Sequence, residues 1–147
     1  MSDLYELQLA LNLPASISDP DLALLRWHLD EPQETAPVDD LQEVQEYPLL
    51  SSTGPASRIG GALVGELQHG PRGWALTVRQ EIHPDQFGEL HSLLTWLAAR
   101  TTTFGTIGYL RFLEAEMPDV LVADGGTVSR LTSPPVGSGQ SDLLPTD

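Results

Sequence analysis

Arg79, Glu81 and His83 occupy alternate positions of one run, with Asp85 two residues further on and Glu66 and Thr77 expected across the ladder. Alternation with a period of two places them on one face of a strand. A carboxylate beside an imidazole near a helix start can raise the imidazole's basicity or fix its tautomer, so Glu81 and His83, with Arg79 on the same face, are the candidate catalytic residues. The same alternation also describes a solvent-facing or ligand-binding sheet surface. A small enzyme or ligand-binding domain on this face is therefore the alternative reading, and a protein without catalysis the preferred one.

Other chemistries lack their residues. The chain has no cysteine, which removes disulfides, thiol nucleophiles, thiolate zinc and cysteine-held iron–sulfur clusters. His83, Asp85, Glu81 and Glu89 do not follow a metal-ligand spacing, and His28, His69 and His91 are scattered, so no metal is expected. Gly61-x-x-x-Gly65 is followed by no Lys-Ser or Lys-Thr, and no Gly-x-Ser-x-Gly elbow occurs, so neither a phosphate-binding cofactor nor a serine nucleophile is indicated. No cofactor is expected.

A second candidate site is aromatic. Leu24–Leu25–Arg26–Trp27 and Leu93–Leu94–Thr95–Trp96 repeat a Leu-Leu-x-Trp pattern in two expected helices. At 100° per residue Trp27 falls away from the Leu22, Leu25 and Leu29 stripe, and Trp96 nearly opposite the Phe87 and Leu94 stripe. Either the helices touch side by side, or Leu41, Val44 and Tyr47 from the connection cover them, or Leu24, Trp27, Leu93 and Trp96 anchor an interface, most simply a homodimer.

Charge supplies the third. Twenty-one acids against seven Arg give a formal net charge of −14 over 147 residues. Residues 1–57 carry eleven of the acids and one Arg, while 58–131 carry eight acids and six Arg. The excess centres on Asp39, Asp40, Glu43 and Glu46, in a run near Pro32, Pro37 and Pro48 that disfavours continuous regular structure. Such a segment reads as an acidic connection over 31–57 that solvates itself or docks on a basic protein, in the manner of an immunity or inhibitor protein. Nucleic acid and anionic membrane are poor partners for it. Met1–Asn12 shows no basic n-region and no apolar run approaches the roughly 20 residues of a membrane span, so a cytoplasmic protein is expected.

The elements that must position these residues follow from patterning. Tyr5, Leu7, Leu9, Leu11 and Leu13 alternate with polar or small residues and predict a strand. Ser18–Asp19–Pro20–Asp21 predicts a helix start, with the helix running to about residue 30. Ile59–His69 and Trp74–His83 predict a hairpin about Gly70–Pro71–Arg72–Gly73, with His69 opposite Trp74, Leu67 opposite Leu76, Gly65 opposite Val78 and Leu63 opposite Gln80. Pro84 and Asp85 open a second helix ending near Arg100, and Thr106–Ala115 predicts a further strand. Asp124–Gly125–Gly126 marks a turn between two short last strands. The order predicts an α+β fold, a ferredoxin-like β-α-β-β-α-β sandwich of an antiparallel-rich sheet with two helices on one face and an extra C-terminal hairpin. It forms one domain over 1–131, followed by a Ser/Pro/Gly-rich tail over 132–147 in which Asp142–Leu143–Leu144–Pro145 has the form of a short docking peptide.

Overall fold

A computed structural model of the chain describes residues 4–30 and 48–132. The alternating leucines form β1 (Tyr5–Pro14), with Leu7, Leu9, Leu11 and Leu13 buried on one face. Helix α1 (Asp19–His28) begins where expected: the Ser18 side chain accepts the Asp21 N–H and Pro20 stands in the first turn. It ends at Leu29, and Asp30 takes a positive φ of 58°. A two-residue β2 (Gly54–Pro55) leads into β3 (Ala62–Gly70) and β4 (Gly73–Ile82). One 3₁₀ turn (Pro84–Gln86) precedes α2 (Phe87–Ala98), and Gln86 Oε1 accepts the His83 N–H at 2.8 Å across its start. The chain ends in β5 (Gly105–Phe112), β6 (Asp119–Asp124) and β7 (Thr127–Leu131).

All seven strands join one antiparallel sheet in the order β2-β3-β4-β1-β5-β6-β7. The α+β class is as expected. The sheet is larger than a four-stranded sandwich with an appended hairpin, since β2 extends it beyond β3 and the β6–β7 hairpin continues it beyond β5. β1 sits at its centre, paired along its whole length with β4 and over Tyr5–Leu9 with β5. The most regular alternation in the sequence thus belongs to the central strand.

The hairpin register is the expected one from Gly70 back to Val64, which pairs with Arg79. It does not continue to Leu63. That residue pairs with Gly54 and packs in a small separate cluster with Leu4 and Ile59, while Gln80 binds Ser52 and the Val64 carbonyl. In β5 a register shift between Thr106 and Gly108 turns Ile107 into the core.

Both helices cover the same sheet face, because Leu24, Leu25, Leu90, Leu93, Leu94 and Leu97 form one apolar cluster with the odd-numbered leucines of β1. The opposite face, carrying Glu6, Arg79, Glu81 and Arg111, is not covered by a helix among the described residues.

Candidate functional site

On the open face the centre is a residue the sequence did not single out. Glu6 on β1 is 4% exposed and lies between two arginines from the neighbouring strands. Arg79 Nε on β4 donates to its Oε2 at 2.8 Å, and Arg111 Nε on β5 donates to its Oε1 at 3.0 Å. Burial alone pushes the Glu6 carboxyl up, but the Arg111 and Arg79 hydrogen bonds outweigh it and hold the group below the usual carboxylate range. The remaining donors of both guanidinium groups turn to backbone. Arg79 reaches the carbonyls of Gly60, Ala62 and Ile59, and Arg111 those of Leu113 and Ala115.

Glu81 is used in the same way. Its carboxylate accepts the N–H groups of Ser57, Arg58 and Ile59 at 3.2, 2.6 and 3.1 Å. Those bonds keep its acidity strengthened against a burial effect of opposite sign. Arg79 and Glu81 therefore fasten the segment 57–62 to the sheet. His83 lies one residue past the end of β4, exposed, with no recorded side-chain bond to either. Arg79 and Glu81 share β4 while His83 follows its end, and the three do not converge on a reacting centre. Tyr109 on β5 completes the group, its hydroxyl pushed up first by burial and then by the negative charge of Glu6.

The helical layer corrects the aromatic expectation. Leu24 and Leu93 are fully buried and Trp96 is 8% exposed, so these three belong to the core and present no surface to a partner. The physical reason is the neighbouring helix. Arg100 after α2 donates to Asp21 of α1 at 2.8 Å and lies 4.3 Å over the Trp96 ring, which it closes off from solvent. An outer arc of one helix becomes an inner arc when a second lies beside it. Trp27 is half-buried and packs against the same core, with its ring edge-on to His28 at 4.9 Å.

His28 is the second site residue that the sequence passed over. It is fully buried on α1, and burial lowers its pKa from 6.5 to about 4, so the ring is neutral near pH 7. Its Nδ1 accepts the Leu49 N–H at 3.2 Å and its carbonyl accepts the Leu50 N–H at 3.1 Å. That pattern assigns the proton to Nε2, which has no hydrogen-bond partner among the described residues. The chain that leaves α1 is thus returned to the same residue about twenty positions later. Asp39, Asp40, Glu43 and Glu46 lie between these two points and outside the described residues. A signal was available: a histidine three residues after Leu25 on a leucine-rich helix sits on its buried side.

Two clefts remain. One of about 210 Å³ lies between α2 and the strands β5–β7, lined mainly by Phe87, Leu90, Leu94, Leu121 and Val128. The other, about 400 Å³, lies at the β3–β4 turn beside His69, which stacks on Trp74 at 4.3 Å. Among the described residues no group of three or more His, Asp or Glu is placed to hold a metal ion, and no helix is long and apolar enough to cross a membrane. Comparison with protein-family models, with characterised proteins and with solved structures gives no match to this chain.

Proposed function

We propose that this chain is a small protein-interaction module that engages a basic partner through the acid-rich segment around Asp39, Asp40, Glu43 and Glu46, without a cofactor. The observation that carries the reading is the His28 contact. It brings the two ends of that segment to one point on α1, so six acids with no intervening basic residue in 31–47 issue from a fixed base. The described residues are nearer balance, with twelve acids against seven Arg. A segment with six acids and no base, on a body whose twelve acids are more than half offset by seven Arg, favours long-range steering of a positive protein. A cytoplasmic setting and an immunity- or inhibitor-like role fit this chemistry. The architecture is read as an elaborated ferredoxin-like sandwich, supported by the central run β3-β4-β1-β5, in which α2 joins β4 to β5 across β1 and the chain after α1 reaches β3, across β4 from β1, by way of the short β2.

The test is affinity capture from the native host at low salt with the full chain as bait. A stoichiometric basic protein is expected, whose association rate falls at least tenfold on raising salt to a few hundred millimolar. It should fall comparably for the variant carrying Asp39→Asn, Asp40→Asn, Glu43→Gln and Glu46→Gln. Unchanged binding by that variant overturns the reading.

A further inference from the structure

The two edges of the sheet are built differently. β2 closes one edge with two residues, and its Pro55 has no N–H to offer a passing strand. β7 closes the other with five residues, Thr-Val-Ser-Arg-Leu, that contain neither proline, glycine nor lysine. Leu131 at its end is 55% exposed. Among the described residues one edge is guarded and the other is open.

The two-residue turn Gly125–Gly126, with both φ angles positive, makes Asp124 and Thr127 the first hydrogen-bonded pair of the β6–β7 hairpin. Alternation along an antiparallel ladder then points the backbone groups of Thr127, Ser129 and Leu131 toward β6. Those of Val128 and Arg130 point to the free edge.

We propose that β7 pairs with β7 of a second copy of this chain about a two-fold axis through Ser129, joining two seven-stranded sheets edge to edge. The strand is complementary to itself in this register. Val128 of each copy lies opposite Arg130 of the other, and the N–H and C=O groups of both are satisfied. Ser129 meets its own copy as a pair without ladder bonds, and its hydroxyl can both donate and accept. On the open face, the exposed Leu131 covers Thr127 of the other copy. On the helical face, the aliphatic stem of Arg130 lies on the other copy's Val128 and adds a wall to the apolar cleft beside α2. No like charges face each other, because Arg130 lies opposite a valine and is paired with Asp119 of its own chain at 2.6 Å.

The chain has no cysteine, so Ser129→Cys introduces a single thiol exactly once per copy. A cross-strand pair without ladder bonds has the Cα separation a disulfide needs. Under mild oxidation the Ser129→Cys protein should become a covalent dimer, while Thr127→Cys, which faces Leu131 of the other copy, should not. Light scattering of the unmodified full chain should show mass rising with concentration toward twice 15.9 kDa. Arg130→Pro, which removes the outward N–H, should stay monomeric, and Arg130→Ala, which keeps it, should still dimerise. A chain that is monomeric up to several hundred micromolar, or a dimer in which Ser129→Cys cross-links no faster than Thr127→Cys, overturns the proposal. Added salt should strengthen this association by screening −14 against −14, the opposite of its effect on a basic partner, so the two proposals fail separately.

Discussion

A neutral histidine sealed inside the molecule makes stability depend on pH in a calculable direction. The folded His28 binds its proton only near pH 4, whereas an unfolded one does so near 6.5. Above pH 6.5 neither state is protonated and the residue contributes no pH dependence. Between 6.5 and 4 the unfolded state binds the proton first, so stability falls as pH falls, by about 3 kcal/mol over the window. The carboxylates act in a lower range. Glu6 and Glu81 are held below their ordinary value of 4.5, so the stability they supply is present above that pH and is lost only below it. Urea unfolding between pH 6.5 and 5 therefore isolates His28. The variant His28→Asn, whose amide oxygen can still accept the Leu49 N–H, should show a flatter profile over that interval. An identical slope in both proteins would assign the dependence elsewhere. At the same scale, Glu6→Gln leaves two partly buried guanidinium groups without their counter-charge. It should cost about 2 kcal/mol or more at pH 7, read from the shift in denaturation midpoint.

Strand contacts set the tolerance of the elements. A side chain added at Gly108 on β5 would collide with the backbone carbonyl of Gln8 on the central strand, which is held by β4 on its other side and cannot give way. Gly108→Ala should therefore destabilise by roughly 3 kcal/mol. Gly88, inside α2, has open space at the corresponding position, and Gly88→Ala should stabilise by up to about 1 kcal/mol through helix propensity. Thermal midpoints moving the same way in both variants would contradict this account. Much of this element structure is legible in the sequence, because its determinants are local. The alternation of β1, the Ser18 cap, the Gly70–Gly73 turn and the Asp124–Thr127 turn each depend on a few adjacent residues. What is not legible depends on neighbours in space. A helical wheel drawn for α2 alone places Trp96 outside, and only the adjacent α1 and Arg100 bring it inside. Alternation likewise assigns Arg79 and Glu81 correctly to the open face. It does not show that segment 57–62 and Glu6, distant in sequence, occupy their charged groups there.

For the whole molecule, local ion pairs and net charge oppose each other. Two ion pairs share the buried Glu6, where salt penetrates least. Arg100–Asp21 and Arg130–Asp119 lie where screening weakens them, and pairs of that kind contribute about 1 kcal/mol or less each. Against them stands the mutual repulsion of a chain with charge −14, which compaction brings together and which salt relieves. Relief of repulsion should win. Raising sodium chloride from about 20 to about 300 mM takes the screening length from roughly 20 to 6 Å, shorter than the span of the sheet, and should raise the thermal midpoint by a few degrees. The measurement belongs at low protein concentration, so that salt-promoted pairing of β7 does not add to the effect. Replacing Asp39, Asp40, Glu43 and Glu46 by their amides takes the charge from −14 to −10 and should reduce the salt response without altering the Glu6 network. A midpoint that falls with salt in the unmodified chain would mean that the exposed pairs outweigh the net charge, and that the acidic excess adds little strain to the folded body.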